Sequence, residues 1–369
     1  MARRRAAHRR RRRDEICRRP PAQAAAARRR RLIRRSAASR DRLLPFPHPP
    51  SARSTLIVCG FGDEVADNRR WIGGKRDMHW GDTVKSKIET VGSLVLGIDP
   101  APDHAPLSLC DRSDLFLERY VTALLDGAEG KVGFVKFQSA YFEAFGSGGM
   151  VSLARCIAIA RERGMSVILD AKRGDIGSTA DAYARAYLVP SGSDLEVDCL
   201  TVNPFLGPET LEPFVNCARD YGKGLFVLVK TSNPGSGWLQ DQIVDGTSVS
   251  ERLAEAVAVW ADETIGDHGI GAVGAVVGAT YPSQGQRLRT VMPRSIFLAP
   301  GLGFQGGDPR ATSALATPTG PVLVSASRGV AAVEDREMPL DAYRALIRSR
   351  LDGFRQTLSP AAIPASLPG

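Results

Sequence analysis

The chain contains no run of about 18 apolar residues, the length a membrane-crossing helix needs, so no transmembrane helix is expected. Its six cysteines (Cys17, Cys59, Cys110, Cys156, Cys199, Cys217) are scattered, without a CxxC pair. That spacing argues against a disulfide framework and a thiolate zinc site, and it suits a reducing cytoplasm. The five histidines never fall at ligand spacing, which makes metal binding through imidazole a poor expectation. No GxxxxGK followed by Ser or Thr is present, so a P-loop is excluded. No apolar stretch follows the N-terminal arginines, as a secretory signal would require.

What the chain does have is charge, unevenly placed. The whole carries a net +9, but residues 1–77 hold 23 Lys and Arg against seven Asp and Glu. The remaining 26 basic and 33 acidic residues leave 78–369 at −7. The first segment, with MARRRAAHRRRRR and AAAARRRRLIRR, is Arg/Ala/Pro-rich and lacks apolar periodicity, so it is not expected to fold alone. Electrostatic binding to nucleic acid and a role as a transit peptide are the two functional readings of such a tail. The plainer reading, taken here, is a dispensable extension or sequence translated from upstream of the true start. No nucleic-acid partner is expected from it, and residues 78–369 are read as one domain.

From about residue 85, short apolar runs alternate with longer amphipathic stretches, the pattern of βα units on a parallel sheet. Strands are expected at 93–100, 132–138, 165–172, 199–205, 224–232, 271–279, 295–303 and 321–329. Amphipathic segments such as DLFLERYVTALLDGA and VSERLAEAVAVWADE separate them, and LDAYRALIRSRLDGFRQTL closes the series. Eight such units in this length predict a single (β/α)8 TIM barrel behind the basic N-terminal extension. A doubly wound sheet is the runner-up, disfavoured because the first turn reads DPAPDH rather than a phosphate-binding fingerprint.

Active sites of such barrels lie at the C-terminal ends of the strands. Those ends carry Asp99, then Lys136 and Gln138, then Asp170 and Lys172 with Asp175 just beyond. Asn203 ends the fourth strand, Lys230, Thr231 and Ser232 the fifth, and Ser325, Ser327 and Arg328 the eighth. Charged groups at buried strand ends are costly unless paired, so their clustering carries more weight than any one of them. The two-residue period places Asp170 and Lys172 on one face of their strand, and Lys136 and Gln138 together on the next. An ion-pair network that merely closes the barrel mouth is the bland alternative. APGLGFQGGD, with Gln305, and SASRG, with Arg328, sit where this fold habitually binds phosphate.

These segments resemble the orotidine 5'-phosphate decarboxylase family, in particular its longer bacterial branch. The resemblance runs through LGIDPAPD, FVKFQSAYFEAFG, ILDAKRGDIGSTA, VNPFLGPETLEPF, VKTSNPGS, APGLGFQGG and SASRG in order, over most of 83–357. It implies cofactor-free, metal-free decarboxylation of orotidine 5'-monophosphate to UMP by a cytoplasmic homodimer. Lys172 would be the proton donor to C6, Asp170 would lie against the substrate carboxylate, and Lys136 would hold Asp170 and a ribose hydroxyl. Asp99 would contact the ribose, Ser232 the pyrimidine, and Gln305 and Arg328 the phosphate. Asp175 and Thr179 would reach into the neighbouring subunit's site. Asn203 joins the set of substrate-binding candidates by its strand-end position.

The chain departs from the shorter branch in the longer stretch 241–257 and in the loop between Gly306 and Val322. No phosphoribosyltransferase domain is expected ahead of the barrel. The nearest rival is a metal-dependent sugar-phosphate enzyme of the same superfamily. It shares DxKxxD but places a carboxylate where this chain has Lys136, an ammonium that would repel a cation. A scaffold acting through its arginine tail is the rival from another class.

Overall fold

The computed structural model describes residues 79–110, 115–301 and 309–358. Eight parallel strands close into a barrel in simple sequential order. They are β1 (Leu94–Ile98), β2 (Phe134–Gln138), β3 (Ser166–Arg173), β4 (Cys199–Val202), β5 (Gly224–Lys230), β6 (Val273–Val277), β7 (Phe297–Pro300) and β8 (Val322–Ala326). β8 pairs back onto β1 through Leu94 opposite Val324. Strands buried on both faces read as unbroken apolar runs, and LVLGI, CLTV and VGAVV are buried at every position. All eight predicted strands are present; seven are shorter than expected, while β3 keeps eight residues and carries Asp170 and Lys172 within the strand.

The principal helices are α1 (Trp80–Val91), α2 (Phe116–Ala128), α3 (Gly146–Glu162), α4 (Gly177–Tyr187), α5 (Glu212–Tyr221), α6 (Val249–Glu263), α7 (Pro282–Val291) and α8 (Leu340–Leu358). α1 precedes the first strand and was not anticipated, because it abuts the arginine-rich segment whose composition hides its start. It opens with Trp80, 2% exposed, whose ring meets Phe134 and Phe226 edge-on at 6.0 and 6.3 Å. Those phenylalanines stand at the lower ends of β2 and β5, so Trp80 stoppers the N-terminal end of the barrel. The stopper requires glycine beneath it: a Cβ at Gly224 would lie 2.6 Å from the indole. At the other limit of the fold, Tyr343 on α8 is fully buried and donates its hydroxyl to the Ala331 carbonyl at 2.8 Å.

The long stretch after β5 is locally well specified. Ser248 caps α6 in a capping box with Glu251, each side chain meeting the other's backbone N–H. Just before it, Ile243–Val244 and Thr247–Ser248 pair as a minimal hairpin. Its turn residues Asp245 and Gly246 have φ of 52° and 84°, the left-handed pair that Asp-Gly favours.

Candidate active site

At the C-terminal mouth the strand ends enclose a cavity of about 440 Å³. Its floor is organised around Asp170. Register sets Gln138 beside Asp170 and Lys136 beside Ile168, so the polar ends of β2 and β3 stand at one height. Lys136 Nζ meets Asp170 Oδ2 at 3.0 Å and also donates to Gln138 Oε1 at 3.3 Å. Lys172 Nζ donates to Asp170 Oδ1 at 2.6 Å, and the Thr201 hydroxyl donates to the same oxygen at 3.0 Å. Burial by itself would raise the Asp170 pKa; the two ammonium groups overcome it and hold the carboxyl well below its usual range. Lys136 moves the opposite way: burial favours its neutral form, but Asp170 and Asp99 outweigh burial and raise its pKa.

Lys172 reaches this position through a backbone irregularity. The β3–β4 register shifts between Leu169 and Arg173, and Lys172 takes a φ of 49°. A non-glycine residue in the left-handed region costs on the order of 1–3 kcal/mol and persists only when its surroundings enforce it. Here the Lys172 N–H donates to Thr201 Oγ1 at 2.9 Å, and the Arg173 carbonyl accepts from Asn203 N at 2.8 Å. Arg173 is itself ion-paired with Glu143 and lies over the rings of Tyr183 and Tyr187. The bend is pinned on both sides.

On the β1/β8 side, Asp99 Oδ2 accepts from Ser327 Oγ at 2.6 Å, while its Oδ1 is buried without a partner among the described residues. An orphaned carboxylate oxygen facing a cavity is a ready acceptor for a ligand hydroxyl. Gly97 permits the approach of β8, since a Cβ there would lie 2.7 Å from Ser327 Cβ. Arg328 lines the same cavity, as does Ser232 on the opposite wall.

Of the residues singled out from sequence, the structure brings together Asp99, Lys136, Asp170, Lys172, Ser232 and Arg328. Asn203 is not among them. It is exposed, and its Oδ1 accepts from Phe205 N at 3.0 Å, so it closes its own turn instead of facing the cavity. Thr201, two residues earlier on the same strand face, takes the inner position, and the two-residue period could have pointed to it. Asp175 accepts from Ile176 N at 2.8 Å; neither it nor exposed Thr179 lines the cavity of its own barrel. Gln305 lies outside the described residues. Thr231 and Asn233 also line the wall, and Asn233 went unremarked in the sequence because it ends no strand.

Residues 93–343 match the family described as Orotidine 5'-phosphate decarboxylase / HUMPS family. The chain is 42% identical over 273 residues to an orotidine 5'-phosphate decarboxylase of Rhodopirellula baltica, covering 70% of this chain and 90% of that protein. A Deinococcus radiodurans protein of the same name is 44% identical over 240 residues, 64% of this chain and 83% of its own length. Among solved structures, the OMP decarboxylase of Leishmania donovani superposes with a TM-score of 0.59 at 30% identity, covering 76% of this chain and 99% of that one. The chain belongs to the orotidine 5'-phosphate decarboxylase / HUMPS family.

Proposed function

We propose that the protein decarboxylates orotidine 5'-monophosphate to UMP, the last step of de novo UMP synthesis, with Lys172 supplying the proton to C6. The observation that carries this reading is the ionised Asp170 held between Lys136 at 3.0 Å and Lys172 at 2.6 Å on the cavity floor. In the reaction the C6–carboxylate bond breaks, CO2 leaves, and the electron pair stays on C6. A fixed ammonium beside that carbon gains interaction as the charge develops, then transfers a proton to it. The neutral amine left behind is reprotonated from water, to which the Lys172 side chain is 44% exposed.

Asp170, unable to take up a proton at neutral pH, holds both ammonium groups in place and favours the charged form of Lys136. Asp99, with its unused Oδ1, suits a ribose hydroxyl. Arg328 suits phosphate, whose oxygens a guanidinium matches in a fork. Lys136 standing next to Asp170 favours this reaction over the metal-dependent rival. Activity insensitive to EDTA would support the assignment, and a strict divalent-cation requirement would overturn it.

The second part of the proposal is a homodimer in which Asp175 and Thr179 complete the partner's site. What supports it is their position outside their own cavity, flanking Ile176, which is 63% exposed. The primary test follows the loss of orotate-type ultraviolet absorbance with wild type and Lys172→Ala. Undiminished turnover in that variant would refute the proton-donor role.

A further inference from the structure

The stretch after β5 leaves the barrel at Lys230 and returns beside it at Gln240 and Asp241, closed by two adjacent contacts. Lys230, fully buried, meets Asp241 at 2.6 Å and lies 4.4 Å from the centre of the Tyr281 ring. Asp241 also accepts from Gln284 Nε2 at 2.9 Å. The neighbouring contact is between Thr231 and Gln240, and the backbone N–H within it fixes which end of the Gln240 amide is which.

A backbone N–H can only donate. Thr231 N lies 2.9 Å from one end of the Gln240 amide, so that end is the oxygen, Oε1. The other end is therefore Nε2, which donates to Thr231 Oγ1 at 2.9 Å. Thr231 Oγ1 carries one hydrogen of its own and donates it to Asn233 Oδ1 at 2.7 Å. The group of Asn233 left without a hydrogen bond among the described residues is Nδ2, which can only donate, and Asn233 lines the cavity.

We propose that Asn233 is a specificity-determining residue whose amide is oriented by Gln240 through the Thr231 hydroxyl, so that it offers an N–H to an exocyclic carbonyl oxygen of the pyrimidine. The proposal rests on the reading of the site as one for a pyrimidine nucleotide, and it names a residue that reads the ring. A uracil-like ring presents an acceptor; a cytosine-like ring presents an amino group, donor against donor, leaving both unpaired. Gln240 does not border the cavity and acts as a positioning residue.

The test uses the full-length protein and calorimetric titration with UMP and cytidine 5'-monophosphate. Wild type should prefer UMP. In Gln240→Glu the donor Nε2 becomes an oxygen, so the Thr231 hydroxyl must turn to donate to it and can only accept from Asn233. The Asn233 amide then inverts and presents Oδ1 to the cavity. The UMP-to-CMP preference should fall by about tenfold, the scale of one hydrogen bond gained or lost at a partly exposed site. Thr231→Val, which removes the relay hydroxyl without changing the shape of the side chain, should lower the preference by less and serves if the carboxylate disturbs the loop. An unchanged preference in either folded variant overturns the proposal. A wild-type protein that binds UMP but not selectively also overturns it and leaves the pyrimidine reading standing, whereas failure to bind either nucleotide removes both.

Discussion

The barrel buries a carboxylate at each end, and the two are held differently. At the N-terminal end Asp82, 6% exposed, accepts from the backbone N–H groups of Asp267 and His268 and from His268 Nδ1, all within 3.1 Å. Burial pushes its pKa up, but those hydrogen bonds outweigh it and the net shift is downward. At the C-terminal end Asp170, 9% exposed, has its pKa lowered as well, by two lysines. Asp82 ties α1 to the loop ahead of β6 and touches no cationic lysine or arginine among the described residues. Asp170 stands on a cavity, beside a residue in a left-handed conformation and an acidic oxygen with no partner. Even cavity size runs the wrong way: a larger one, about 690 Å³, lies at the N-terminal end between α1 and α8, lined by groups such as Val91, Pro321 and Leu358. Burial and a lowered pKa are therefore shared by both ends. A left-handed backbone and two lysines converging on one carboxylate accompany Asp170 and not Asp82, whereas a buried polar atom without a partner among the described residues occurs at both ends, Asp99 Oδ1 at one and Trp80 Nε1 at the other.

That contrast breaks if the two ends respond alike to substitution. Lys172→Ala should abolish turnover by roughly 10²–10⁴-fold, the range for losing a positioned general acid, with the melting temperature nearly unchanged. Asp82→Ala should do the reverse. Removing an acceptor that three part-buried donors depend on costs about 1–3 kcal/mol, read as a lower denaturation midpoint, while kcat per folded molecule stays put. A large kcat loss in Asp82→Ala, or a large stability loss in Lys172→Ala, would erase the distinction.

The two ends should also divide the acid limb of stability. Both aspartates are shifted down in the fold relative to an unfolded value of about 3.9. A depressed folded pKa contributes stability that is complete above the unfolded value and is lost as pH falls through the folded one. The fold should therefore weaken below about pH 4. Asp170→Asn and Asp82→Asn should each flatten part of that slope in melts recorded from pH 7 downward. An unaltered slope in both would place the acid sensitivity elsewhere.

How much of this was readable in the sequence depends on whether the feature is local. All eight strands were, because a strand buried on both faces has to be apolar along its length. The Lys136–Asp170–Lys172 group was, because a two-residue period aligns them whatever the rest of the chain does. The bend that gives Lys172 its φ of 49° was not, since nothing in DAKRG announces a register shift enforced from β4. Asn203 was misplaced for a related reason: a polar residue at a strand end can close its own turn as readily as it can face a ligand. The Gln240 relay was invisible, because it depends on an excursion being folded back by the Lys230–Asp241 pair.

Two smaller predictions sharpen the comparison. Arg328→Ala, at the proposed phosphate position, should raise KM by about 10–100-fold, the value of one or two charged hydrogen bonds, with a smaller change in kcat. β5 itself then offers the finest test, because it carries a buried lysine at each end. Lys223, 3% exposed, pairs with Glu196 at 2.7 Å just below the first residue of the strand. Lys230 pairs with Asp241 just below the proposed pyrimidine wall. Replacing both partners of a buried pair with neutral groups of similar shape is often close to neutral for stability. The double variant Lys223→Met with Glu196→Gln should therefore leave KM and kcat as they are. Lys230→Met with Asp241→Asn should leave the fold but loosen the hold on Gln240, so that KM rises by about threefold to tenfold, the effect of one weakened hydrogen bond. Equal KM values in the two double variants would mean that the upper pair, like the lower one, only holds the barrel together.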